Sequence, residues 1–297
     1  MPELPEVEVC ARHLRPLLAG KTIRAVEVRR EKVLHPTLPA RFKRILSGAK
    51  FLGLQRRGKY LLFELRRKGS RKRIRLLGHL GMTGRMYLAP KSGPLPKHAA
   101  VVLNLGARNF IYEDTRYFGR LTLDLAAAEK LGPEPWDKTF TPEQFHERLN
   151  RSRQPVKVKL LDQSLIAGVG NIYASEALFR AKISPHRAAD NLTPAEAGEL
   201  LAAVRTVMQE AIDCGSTIPL NFAARKTDGL FYFGRAANAP DYYAERLCVY
   251  DRAGKPCANC GFPIKRIVQA ARSTFYCPHC TERPKKLPVP KPARRRR

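Results

Sequence analysis

The residues best equipped for covalent chemistry open the chain, Met1-Pro2-Glu3. Removal of Met1 leaves Pro2 as a free secondary amine. An α-amine has a pKa of about 7.7–8.0, far below that of a lysine, so a good fraction is an unprotonated nucleophile at neutral pH. Such an amine attacks an electrophilic carbon and forms an iminium. Glu3 can serve as general acid or base toward the same substrate. Taken alone, the three residues fit equally an ordinary terminus that begins a helix.

A second constellation is Cys257-Ala258-Asn259-Cys260, sixteen residues, then Cys277-Pro278-His279-Cys280. C-x2-C-x16-C-x2-C is zinc-ribbon spacing: each pair puts two thiolates on a tight turn, and a hairpin brings the turns together around one tetrahedral Zn2+. Four thiolates leave no open coordination position, so one structural zinc is expected. Two disulfides or four unrelated thiols are the alternatives; a reducing compartment weighs against the first. Cys10, Cys214 and Cys248 fit no pattern and read as buried small apolar side chains.

The elements that must position these groups fall into blocks. The expected fold class is α+β and multidomain. Residues 1–130 read as an N-terminal β-sandwich or flattened barrel preceded by one helix. Its strand candidates are Thr22–Arg29, Lys50–Arg56, Lys59–Leu65, Ile74–Leu80, Ala100–Leu105, Asn109–Asp114 and Leu121–Leu125. In the helix Val7, Ala11, Leu14 and Leu18 share a face; Pro16 leaves its end open. Thr141-Pro142-Glu143-Gln144 and Thr193-Pro194-Ala195-Glu196 are two cap signals, the second opening a helix to about Ile212. Gly168-Val169-Gly170-Asn171 feeds another helix through about Ala181. Residues 136–225 form the expected helical domain, with a long loop over 215–245. The zinc ribbon occupies 246–282, and a basic, disordered tail 283–297.

Lys and Arg number 55 against 26 Asp and Glu, a net charge of +29. So positive a chain calls for a polyanionic partner, nucleic acid before an anionic membrane surface. No apolar run approaches the roughly 18–20 residues of a membrane span. The first residues lack the basic and apolar regions of a signal peptide, so a cytoplasmic protein is expected.

Four motifs join the ribbon in a fixed order: Met1-Pro2-Glu3-Leu4-Pro5-Glu6-Val7-Glu8, Arg56-Arg57-Gly58-Lys59-Tyr60-Leu61-Leu62-Phe63, His79-Leu80-Gly81-Met82-Thr83-Gly84-Arg85 and Gly168-Val169-Gly170-Asn171-Ile172-Tyr173-Ala174-Ser175-Glu176. Arg272-Ser273-Thr274-Phe275-Tyr276 precedes the third ribbon cysteine. In this order the chain closely resembles the formamidopyrimidine-DNA glycosylase family over about residues 2–282. The resemblance implies a helix–two-turn–helix DNA-binding domain and removal of oxidised purines from damaged double-stranded DNA, followed by abasic-site lyase cleavage. It implies Pro2 as the nucleophile at C1′, Glu3 as the assisting acid, Lys59 in β-elimination and Arg272 in δ-elimination. A guanidinium is effectively always protonated, so a phosphate clamp suits Arg272 better than proton donation. Lys59 also fits a phosphate contact.

A flipped-out base leaves a hole that something must fill. By resemblance Met82, Arg116 and Phe118 fill it. Arg153 and His98 match phosphate contacts, as does Asn171 with its Gly168–Gly170 turn, where a helix N-terminus favours an anion. His79 fits either a backbone contact or a structural role, and Glu176 is expected to support the helical hairpin. Two departures stand out. Asp114-Thr115-Arg116-Tyr117-Phe118-Gly119 has Tyr117 where the family usually has a second arginine. The loop after Gly215-Ser216-Thr217, the family's lesion-covering loop at about 215–240, differs in composition, which leaves the preferred lesion open. Arg66–Arg75 carries seven basic residues and no acid, most simply a solvated loop that adds nonspecific DNA affinity. A monomer with no membrane partner is expected. The alternatives are the sister endonuclease that prefers oxidised pyrimidines, a non-catalytic damaged-DNA-binding protein, and a ribosome-associated zinc-ribbon protein. The last does not explain the N-terminus.

Overall fold

Residues 2–214 and 247–281 are described by a computed structural model. The expected long loop over 215–245 and the tail 283–297 lie outside them. Helix α1, Leu4–Leu18, starts at a capping box: the Glu3 side chain accepts from the Glu6 backbone N–H, and the Glu6 carboxylate accepts from the Glu3 N–H at 2.7 Å. Such a cap is worth about 1 kcal/mol. Val7, Cys10, Ala11, Leu14 and Leu18 form the buried face. Pro16 does not end the helix. It lies in the last turn, where a lost N–H bond and a ring clash disturb little downstream.

The strands follow: β1 (Ala25–Val28), then, after helix α2 (Pro39–Leu46), β2 (Ala49–Arg57), β3 (Tyr60–Arg67), β4 (Arg73–His79), β5 (Arg85–Pro90), β6 (Ala99–Asn104), β7 (Arg108–Glu113) and β8 (Arg120–Thr122). They form two antiparallel four-stranded sheets, ordered β1-β6-β7-β5 and β2-β3-β4-β8. The sheets are separate, so the domain is a sandwich and not a closed flattened barrel. Their inner faces share one core, in which the Phe51, Phe63 and Phe110 rings lie 5.7–6.5 Å apart. The sequence expectations lack α2 and β5, among other short elements. α2 buries only Phe42 and Leu46 among basic residues, and β5 buries Met86 and Leu88 between a glycine-rich turn and Pro90. The expected strand Leu121–Leu125 stops at Thr122 because Asp124 turns the chain into helix α3 (Ala126–Glu129), its carboxylate accepting from Ala126 N–H.

The second domain contains α4 (Pro142–Asn150), α5 (Val156–Leu160), α6 (Asn171–Arg180) and α7 (Pro194–Asp213). Thr141 and Thr193 cap α4 and α7 as their sequences indicate. Leu4 of the first domain is buried in the second domain's core with Tyr173, Leu200 and Val204, so the N-terminus is clamped between the two.

Strands β9 (Lys265–Gln269) and β10 (Arg272–Tyr276), with the short helix α8 (Pro278–Thr281), make the ribbon. Glu176 of α6 anchors its entry: the buried carboxylate accepts the N–H groups of Cys248, Val249 and Tyr250 at 2.8–2.9 Å. Cys10 and Cys214 are buried as expected; Cys248 is only half-buried. Among the described residues, no helix is long and apolar enough to cross a membrane.

Candidate active site

The two domains and the ribbon meet at a cleft of about 360 Å3 whose lining includes Glu3, Lys59, His79, Met82, Asn171 and Arg272. Six expected site residues from five separate segments therefore share one cavity. Pro2 is buried directly before Glu3.

Glu3 is held by α6. Its carboxylate accepts Ile172 N–H at 2.9 Å and Tyr173 N–H at 3.5 Å, at the helix N-terminus. The sequence offers this N-terminus to phosphate; in the fold the anion there is Glu3. The Gly168–Gly170 turn is shaped for the same purpose. A Cβ on Gly170 would lie 2.3 Å from the Glu3 carboxyl carbon, and one on Gly168, at φ +93°, 2.5 Å from Leu4. Burial raises the pKa of Glu3, against the opposing pull of Lys59 and the two N–H groups. Behind it, Glu6 accepts the Tyr173 hydroxyl at 2.7 Å.

Lys59 lies in the β2–β3 turn with Gly58, and an interdomain clamp fixes that turn. Glu134 of the linker accepts Gly58 N–H at 2.5 Å and pairs with Arg56 at 2.7 Å, while Arg57 donates to the Leu131 and Gly132 carbonyls. Burial lowers the pKa of Lys59, opposed by Glu3 and assisted by Arg272. The result is a buried acid that keeps its proton longer beside an amine that loses its proton sooner. His79 is also neutral: its Nδ1 accepts Gly81 N–H at 3.1 Å, and burial lowers its pKa to about 4. The hydrogen bond to Gly81 is what the structural reading of His79 calls for, and its place in the cleft lining leaves the DNA-backbone reading open as well.

Arg272 opens β10 after a two-residue turn, Ala270–Ala271, in which both φ are positive (47° and 58°). Its neighbour Ser273 is tied to the helical domain. The Ser273 carbonyl accepts from Asn171 Nδ2 at 2.8 Å and from Lys157 Nζ at 3.5 Å, and Lys157 also donates to Asn171 Oδ1. The Asn171 amide thus places the ribbon against the cleft. Lys157, on α5, was missed by the sequence reading. It is fully buried, and burial lowers its pKa to about 8. A charged residue on a five-residue helix carries no pattern; only its company in the fold reveals it.

The rim is built by two loops around Asp114, another residue missed in the sequence. Its buried carboxylate accepts the Thr83 hydroxyl at 2.6 Å, Arg116 N–H at 3.2 Å and Gly119 N–H at 2.9 Å. This carboxylate joins the Met82 loop to the Arg116–Phe118 loop. Met82 and Phe118 are 46% and 49% exposed, high for apolar side chains, and the Arg116 guanidinium lies 4.7 Å from the Phe118 ring centre. Tyr117 adopts φ +53°, with its hydroxyl 3.5 Å from His98 Nδ1 and the Arg30 guanidinium 5.4 Å from its ring centre. His98 and Arg153 lie outside the cleft lining. Arg153 is 96% exposed on the helical domain, 3.8 Å from Asp190.

The ribbon sulfurs lie within 4.8 Å of one another, with Cys257–Cys280 at 3.8 Å, Cys260–Cys277 at 3.5 Å and Cys260–Cys280 at 3.4 Å. A tetrahedron of Zn–S bonds of about 2.3 Å needs sulfurs about 3.8 Å apart. The donor set therefore fits one structural zinc ion, held by Cys257, Cys260, Cys277 and Cys280. Bound there, the metal closes the ribbon and supplies no reactive position.

A two-domain cleft with a buried acid and amine, apolar side chains exposed at its rim and a four-thiolate hairpin alongside, on a chain of net charge +29, fits a class of protein: a cleft enzyme with a structural metal ribbon and a polyanionic substrate. Three family profiles match in succession, the formamidopyrimidine-DNA glycosylase N-terminal domain over residues 1–121, its H2TH domain over 131–221, and the zinc finger found in FPG and IleRS over 254–283. The formamidopyrimidine-DNA glycosylase of Thermus thermophilus is 42% identical, covering 94% of this chain and 98% of its own. That of Paracoccus denitrificans is 40% identical, covering 95% and 100%. The Lactococcus lactis Fpg, 32% identical and covering 95% of this chain and 100% of its own, superposes with a TM-score of 0.81 in complex with abasic-site DNA and 0.83 with DNA containing an oxidised pyrimidine. The chain belongs to the formamidopyrimidine-DNA glycosylase family and is a base-excision DNA glycosylase.

Proposed function

We propose that this enzyme removes oxidised purines, 8-oxoguanine and formamidopyrimidines, from duplex DNA and then cleaves the strand by β- and δ-elimination. In this reading residues 1–130 are the catalytic domain, 136–225 the DNA-binding domain with its lesion-covering loop, and 246–282 the ribbon. The enzyme acts in the cytoplasm as a monomer. With Met1 removed, the Pro2 nitrogen forms a bond to C1′ as the glycosidic bond breaks, and the bonding pair leaves with the base, which takes up a proton. Opening of the sugar ring gives an iminium. Glu3, whose pKa burial raises, is suited to proton donation in this step. Lys59, whose pKa burial lowers, is suited to taking the C2′ proton that starts β-elimination. Arg272 clamps phosphate and serves the δ step. Met82, Arg116 and Phe118 fill the void in the stack, and His98, Arg153 and Asn171 meet or position the phosphate backbone.

The observation that carries the reading is the convergence of Glu3, Lys59 and Arg272 on one cleft beside Pro2. A second reading, preference for oxidised pyrimidines, has support in the oxidised-pyrimidine complex of the Lactococcus lactis relative. Cleavage assayed side by side on 8-oxoguanine, formamidopyrimidine, oxidised-pyrimidine and plain abasic duplexes separates the two. Fastest release from the purine lesions is expected; faster release of oxidised pyrimidines would install the second reading.

A further inference from the structure

The sheet that carries Lys59 has a second feature on its outer face. In register, Lys50 of β2 stands opposite Arg66 of β3, and Arg66 stands opposite Arg73 of β4. All three side chains are exposed, as are Arg67, Lys68, Arg71 and Lys72 of the connecting hairpin. Like charges directly opposite on adjacent strands destabilise a sheet. Glu64 pairs with Arg73 at 3.0 Å, and among the described residues neither Lys50 nor Arg66 makes an ion pair. Among the described residues the row gains nothing from its own like-charged neighbours, and its spacing suits a polyanion.

The row shares a face with Tyr60 and His79 at the cleft end of the same strands, since Tyr60 pairs with His79 in the same register. The Tyr60–Arg66 separation along β3 is about 20 Å at roughly 3.3 Å per residue. That is about six base pairs of duplex rise, beyond the lesion itself. Three cations on strands about 4.8 Å apart span roughly 10 Å. A duplex presents about six negative charges over that length.

We propose that Lys50, Arg66 and Arg73, with the Lys68–Lys72 hairpin, form a second phosphate-backbone contact for duplex DNA, separate from the lesion cleft. The inference rests on the DNA glycosylase reading. Either the flank of the damaged duplex or a second duplex supplies the phosphates.

The test uses the zinc-loaded full chain and a K50Q/R66Q/R73Q variant, with duplexes of about 11 and about 30 base pairs, the shorter too short to reach the row; each length is made with an abasic analogue for binding and with 8-oxoguanine for cleavage. Affinity is measured across a salt series. On the long duplex the variant should lose about 2.7 from the slope of log affinity against log salt, at about 0.9 per phosphate contact. On the short duplex, slope and cleavage rate should match the parent. An unchanged slope on the long duplex overturns the proposal, and so does an equal loss on the short one, which would place the row inside the cleft footprint. Failure of both proteins to cleave the short duplex would instead sink the glycosylase reading. Undamaged duplex added to the short complex identifies the source: a second binding event in the parent that the variant lacks means a second molecule, and none in either means the flank. The variant's melting temperature should equal or exceed the parent's, because repulsion has been removed. A lower one would show the charges serving the fold and would overturn the argument from the row.

Discussion

Glu3 works in two directions at once. Its carboxylate caps two α6 N–H groups and its side chain also closes the capping box of α1, so the acid proposed for catalysis is itself the joint between domains. Glu3→Gln keeps an acceptor for those N–H groups and removes the titrating proton. Base excision should fall by about 10²–10⁴, measured in single turnover, while the variant retains affinity for an abasic-analogue duplex; near-parental excision would remove Glu3 from the chemistry. His79 has a different signature. In the fold it titrates near 4, and an exposed histidine near 6.5. Between those values the unfolded chain binds a proton that the folded chain refuses, so stability falls as pH drops from about 6.5 to about 4. His79→Gln keeps an acceptor for Gly81 N–H. Denaturant unfolding of this variant should fall less steeply across that window than the parent, and parallel curves would refute the assignment.

At the scale of elements, Glu176 is the hinge pin between α6 and the ribbon. Glu176→Ala strands three N–H groups, and the buried one, of Val249, alone costs about 1–3 kcal/mol when left unsatisfied. Thermal unfolding should shift well below the parent, with protection of the Cys248–Tyr250 amides against hydrogen exchange lost first; full protection of these amides would mean another group holds the segment. Much at this scale was legible in the sequence. Thr141 and Thr193 announce their helices because a cap is a local device, and the ribbon hairpin follows from two Cys pairs. α2, α5 and β5 were not legible, because each is short and buries two or three side chains amid charge or proline. The α6 N-terminus reads as an anion site, and the sequence gives no sign that Glu3, 169 residues away, is an anion the fold places there.

Among the described residues the sandwich, the helical domain and the ribbon each have a core of their own, and the cleft lies where these three parts meet. The candidate site was legible one motif at a time through resemblance. The ties that assemble it were not, because Glu134 on Gly58 and Lys157 on Asn171 and Ser273 are contacts between segments with no shared pattern. Zinc belongs to this scale. Elemental analysis should return one zinc per chain, and its removal by a chelator should release Arg272 from the cleft and abolish strand cleavage while the sandwich core stays folded by far-ultraviolet circular dichroism. Metal-free protein with full activity would contradict the role of the ribbon.

Borohydride reduction during turnover on an 8-oxoguanine duplex, followed by digestion and peptide mass spectrometry, reaches the nucleophile itself. The DNA-derived mass should sit on the first peptide, at a Pro2 amine freed of Met1. Trapping on Lys59 or Lys157 instead, or an active enzyme that still carries Met1, would contradict the proline mechanism.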